Sequence, residues 1–111
     1  MDFDEFCKHF RLGAWREDNE YRRECDRSIA LHAIESGAPV EQLIRYWRVA
    51  AKYYDMSRHD RACFKQRNYY VRRIANFWHV LDVGEQDQFR TGAMLPYRAA
   101  SLIGTRLLSK S

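Results

Sequence analysis

Apolar positions along the chain recur with the spacing of helices rather than the alternation of strands. Phe3, Phe6, Cys7 and Phe10 fall at i, i+3, i+4 and i+7, one face of a helix. Asp2 and Glu5 have the spacing of a capping box, Lys8 and Arg11 suit the negative end of the dipole, and Gly13 offers a stop. The first helix is therefore predicted from about Phe3 to Leu12. A second is predicted from Asp18 or Asn19 to just before Gly37. Tyr21, Cys25, Ile29 and Ala33 form its apolar stripe, with Ala30 and Ile34 beside it. Glu20, Arg23, Glu24 and Arg27 lie on its other side, at spacings that allow ion pairs. Pro39 is preset for a helical first turn and opens the third helix, to Tyr54. There Val40, Leu43, Ile44, Trp47, Ala51 and Tyr54 share a face that Tyr46, Ala50 and Tyr53 widen. A helix this broadly apolar is expected at the centre of the core.

A fourth helix is predicted to start at Ser57, with Asp60 completing a weaker capping box, and to run to Leu81 and a stop at Gly84. Its stripe is Cys63, Tyr70, Val71, Ile74, Trp78 and Leu81. Arg67 falls on that same stripe. An unpaired buried guanidinium is costly, so either the helix breaks near Gln66–Asn68 or Arg67 pairs with an acid such as Asp60. Residues 85–95 read as a polar loop. Pro96 then opens a last helix with Ala100, Ile103 and Leu107 inward. The expectation is an all-α chain: one compact bundle of about five helices over residues 1–111.

Composition narrows the class. Only two prolines and five glycines interrupt 111 residues, which favours long helices over many short strands. The N-terminal Met1-Asp2-Phe3-Asp4-Glu5 lacks the basic start and apolar run of a secretory signal. The longest stretch without a charged residue, Ile74 to Leu81, is far short of a membrane span. Cys7, Cys25 and Cys63 are odd in number and widely spaced, the usage of a reducing compartment. A cytoplasmic protein with no membrane association is predicted.

Charge is distributed unevenly. Residues 1–41 carry a net −4, residues 42–81 a net +7 and residues 82–111 a net +1. Fifteen of the 19 basic residues are Arg, the better side chain for bidentate phosphate or carboxylate contacts; a GC-rich genome would produce the same excess. On the third helix Arg45, Arg48 and Lys52 share the face opposite Trp47. On the fourth, Arg58, Arg61, Lys65 and Arg72 share the face opposite Ile74. Helices joined by a short connection pack as neighbours. With both basic faces on one side, these seven residues would form a surface able to track a phosphate backbone, with Tyr53 and Tyr69 at its edges to stack on bases. The alternative is two solvated polar faces pointing different ways.

The junction between these helices also resembles a helix-turn-helix. Ala51, the turn Asp55-Met56-Ser57 and Phe64 occupy the spacings of that motif, with Ala between the helices and Ser as cap. The resemblance covers about twenty residues. Asp55 stands where a turn Gly is usual, and Arg61 where an apolar residue is usual. The resemblance implies that the helix after Ser57 enters the major groove with Arg58, His59 and Arg61 near base edges.

No constellation points to catalysis or to a bound cofactor. His9, His32, His59 and His79 form no metal-ligand spacing with the cysteines. His59 and Asp60 are adjacent and so point apart on a helix. There is no glycine-rich phosphate loop. The expected function is a non-enzymatic binding module that takes nucleic acid or a nucleoprotein through its basic middle. The alternative is a small protein-binding regulator, an adaptor or inhibitor of mobile-element type, docking on an acidic surface through Arg and the aromatic residues common at hot spots. Trp15 and Tyr21 are candidate anchors, and the opposed charges of the first and middle thirds allow a homodimer.

Overall fold

A computed structural model describes residues 2–10, 19–53 and 58–109, the side chains of residues 19, 21 and 58–62 excepted. Among them are six α-helices: α1 (Phe3–Phe10), α2 (Asn19–Ser36), α3 (Val40–Tyr53), α4 (Arg58–Asn76), α5 (Val83–Thr91) and α6 (Pro96–Ser109), with a 3₁₀ turn at Trp78–Val80 between α4 and α5. The all-helical expectation holds, with one helix more than the five predicted.

The capping box foreseen at Asp2 is formed. Glu5 N donates to Asp2 Oδ1 at 2.8 Å, and Asp2 N donates to Glu5 Oε2 at 3.2 Å. α1 lays Phe6 and Phe10 into the core, and the Phe6 ring sits 5.6 Å from that of Tyr46 on α3. α2 buries Cys25, Ile29, Ala30 and Ala33. It stops at Gly37, whose φ of 70° lies in the left-handed region that glycine enters without steric cost. α3 buries Val40, Leu43, Ile44, Trp47 and Ala50.

α4 joins α3 at the centre of the bundle. It packs against α2, α3 and α6, whereas α3 packs against α1, α2 and α4. The reason is access from several sides: α4 buries Phe64, Asn68, Val71 and Ile74 and half-buries Tyr70, Arg72, Arg73 and Ala75 on its flanks. Side chains from all six helices meet in one core.

Three further expectations are corrected. The fourth helix ends at Asn76, not Leu81. Leu81 is still buried, carried by the 3₁₀ turn. Residues 85–95 are not a loop, because most of them belong to α5. Asp82 caps that helix with a full capping box involving Glu85, and Gly92 closes it at φ 92°. Arg27, assigned to the outer face of α2, is buried. It pairs with Glu24 one turn away, and its guanidinium lies 6.0 Å from the centre of the Phe89 ring. α5, absent from the sequence reading, is what covers it.

Candidate polyanion-binding groove between α3 and α4

Glu41, Arg45, Arg48 and Lys52 follow one another at i, i+4, i+7 and i+11, which sets them in a line along one flank of α3. Lys65, Tyr69 and Arg72 make the corresponding line on α4. The two lines are joined at one end. Arg72 Nε lies 2.6 Å from Glu41 Oε1 and Arg72 Nη2 lies 3.1 Å from Glu41 Oε2, a bidentate pair. Further along, the Trp47 ring packs edge-on to Phe64 at 4.9 Å. The start of α3 thus meets the end of α4, and the helices run antiparallel along their length. In that register Arg48 is level with Lys65 and Arg45 with Tyr69.

A helix-turn-helix crosses its helices at about 90–120°, and contacts at the far ends of α3 and α4 are those of an antiparallel hairpin instead. The turn Asp55-Met56-Ser57 lies outside the described residues. So do the side chains of Arg58, His59, Asp60 and Arg61, although the backbone spacing puts positions 58 and 61 on the Lys65 line.

Among the described residues, Arg45, Arg48, Lys52 and Lys65 are exposed and take part in no ion pair. Arg72 is the member of the set that an internal carboxylate occupies. Glu41 is held below the usual range of its carboxyl, first by the Arg72 hydrogen bond and further by the charges of Arg72 and Arg48. The two tyrosines separate. Tyr69 is half exposed on the crest of α4, with the Arg73 guanidinium 4.7 Å from its ring centre. Tyr53 is 78 % exposed but lies about 100° beyond Lys52 around the helix, turned away from α4. The groove does not include it.

Glu41 was not among the predicted site residues, although its i, i+4 relation to Arg45 was visible. Neither was a cavity of about 300 Å³ between α2, α4 and the start of α6, lined by Arg22, Arg23, Asp26, Gln66, Arg67 and Tyr70 among others. Its floor resolves the position of Arg67. α4 continues through that residue unbroken, and among the described residues the carboxylate that meets it is Asp26 of α2; the Asp60 side chain lies outside them. Arg67 Nε and Nη2 donate to Asp26 Oδ2 and Oδ1 at 2.8 and 2.9 Å, and Nη2 also donates to the Arg22 carbonyl. The guanidinium stands 5.0 Å from the centre of the Trp47 ring. Burial pushes Asp26 up to about 6, with the charge and hydrogen bonds of Arg67 opposing the rise.

His9 and His32 approach to 6.2 Å between ring centres, but no three potential metal ligands gather among the described residues. No helix among them is long and apolar enough to cross a membrane. No protein-family model matches the chain, and neither does any curated protein or solved structure.

Proposed function

We propose that this chain is a non-catalytic binding module whose α3–α4 groove takes a polyanion, a DNA or RNA strand alone or within a nucleoprotein. The observation that carries the reading is the run of exposed cations, Arg45, Arg48, Lys52 and Lys65, on facing flanks of two antiparallel helices, with Glu41 at its far end already occupied by Arg72. Arg48 and Lys65 are level with each other and of like sign, an arrangement that an anion lying between them relieves. Tyr69 on the adjoining crest adds a surface on which an unpaired base can stack. The cytoplasm is the compartment proposed, on the strength of cysteine number and spacing.

Exposed Val49 and Tyr53 beside the basic line favour a second reading, in which the same face grips an acidic protein and the apolar pair anchors it. Titration of labelled single-stranded DNA, single-stranded RNA and duplex at several salt concentrations tests the first reading. Four cations predict that log K falls with log salt at a slope of about −3, and that Arg48→Gln or Lys65→Gln each flattens it by a little under 1. Absence of binding at low salt, or binding indifferent to salt, would refute it. Capture of a protein partner from nuclease-treated lysate through Val49 and Tyr53 would favour the second.

A further inference from the structure

On the opposite flank of α4, the packing against α6 leaves a cleft of about 350 Å³ bordered by Tyr69, Tyr70, Tyr97, Ser101, Gly104 and Thr105, with Arg73 in it. Three observations set Arg73 apart. First, its guanidinium lies between the Tyr69 ring and the bare backbone of Gly104. The Tyr69 ring centre is 4.7 Å away on one side. On the other, a Cβ at position 104 would collide with Arg73 Nη1. A side chain at position 104 would push the guanidinium aside, so glycine leaves it this place, in the middle of a helix where glycine costs about 1 kcal/mol relative to alanine.

Second, Arg73 is half-buried and yet meets no carboxylate. Arg27, Arg67, Arg72 and Arg106 are likewise buried or half-buried, and each is met by one: Glu24, Asp26, Glu41 and Glu85; Arg22, also half-buried, has an interaction of its own. Among the described residues the Arg73 side chain makes a ring contact and neither a hydrogen bond nor an ion pair. The quadrupole of a tyrosine ring attracts the charge but accepts none of the five guanidinium N–H groups. Third, Ser101 and Thr105 stand one turn apart on the same face of α6 and border the cleft, and neither hydroxyl is engaged in a hydrogen bond among the described residues.

We propose that this α4–α6 cleft is a binding site for a phosphoryl group, with Arg73 as its anchor. A fixed guanidinium fork satisfies two oxygens of an oxyanion. A planar carboxylate is then complete, whereas a tetrahedral phosphoryl group presents a further oxygen, which the Ser101 and Thr105 hydroxyls are positioned to serve. Because the Tyr69 ring already lies against the guanidinium, part of the side-chain ordering is in place before binding. The site adjoins the α3–α4 groove across the Tyr69 crest of α4: it shares the Tyr69 ring with the groove and uses none of the groove's cations.

The test is a titration with inorganic phosphate at constant ionic strength, with acetate as the control, read by nuclear magnetic resonance at the Arg73 Nε–H and the Ser101 and Thr105 amides. Saturable shifts with phosphate, and much smaller ones with acetate, are expected. Arg73→Gln should weaken phosphate binding at least about tenfold. Gly104→Ala should also weaken it while keeping the charge and the helix content, since a methyl there displaces only the tip of a flexible side chain. The triple variant Arg45→Gln/Arg48→Gln/Lys52→Gln, which removes the α3 cations of the groove and keeps Lys65, should bind phosphate as the parent does. Displacement of phosphate by a mononucleotide alone identifies a free phosphomonoester as the natural source, and displacement by oligothymidylate in the triple variant identifies a strand phosphate. No saturable shift, an equal response to acetate, or an unchanged response in Arg73→Gln overturns the proposal.

Discussion

Arg67 and Asp26 meet from positions 41 apart in sequence, and the pair explains how a charge can sit on an apolar stripe. The dilemma was legible: a guanidinium at a core position demands either a break or an acid. The partner was not, because nothing local ties α4 to α2, and Asp60 was simply the nearest acid along the chain. Arg27 was misread for a related reason, since its cover, Phe89, comes from a helix more than sixty residues on. For a carboxylate only 4 % exposed on its side chain, losing its cation is costly. Arg67→Met is therefore expected to destabilise the fold by about 3–5 kcal/mol, and the double variant Asp26→Leu/Arg67→Met to recover most of that. Urea unfolding of the two single variants and the double variant measures the coupling. Additive losses would show that the pair contributes nothing as a pair.

At the scale of the element, the helices with broad apolar stripes were legible and α5 was not. Its nine residues bury Phe89 alone, too little for the periodic signal that revealed α3. The end signals were nevertheless present. Asp82 and Glu85 repeat the spacing of Asp2 and Glu5, and Gly92 stands where a left-handed C-cap belongs. Capping chemistry, rather than an apolar stripe, defines this helix. Glu85 also reaches α6, where Arg106 Nη2 donates to its Oε2 at 2.8 Å. The Arg106 hydrogen bond first, and the Asp82 backbone N–H second, hold the Glu85 carboxyl at about 2, below its ordinary 4.5. A carboxyl whose folded value is depressed stabilises the fold above its unfolded value and loses that contribution as pH falls toward the folded one. The melting-temperature advantage of the parent over Glu85→Gln should therefore be full above pH 4.5 and shrink toward pH 2. Thermal unfolding across that range reads it, and a pH-independent difference would remove Glu85 from the acid response.

At the scale of the whole molecule, the antiparallel packing of α3 and α4 is what the proposed groove rests on, since it sets the two lines of cations on adjoining flanks. The cations were legible from helical spacing alone. Their convergence was not, since it depends on the Glu41–Arg72 contact between helix ends and on the core contact of Trp47 with Phe64. That clamp has an electrostatic consequence. Glu41 stands in line with Arg45, Arg48 and Lys52, occupies Arg72 and opposes an incoming polyanion. Ion pairs as exposed as this one contribute only about 0–1 kcal/mol to stability, so the core should hold the two helices together without it. Glu41→Gln should then fold normally and bind a polyanion several-fold more tightly at low salt. Its log K against log salt should steepen by about 0.7–0.9, the increment of one further phosphate contact. Adding Arg72→Gln should return the slope to that of the parent, since the released cation is the one that makes the new contact. An unchanged slope in Glu41→Gln would mean that the strand does not reach the Arg72 end of the groove, and weaker binding would mean that the clamp, rather than the charge, sets the affinity.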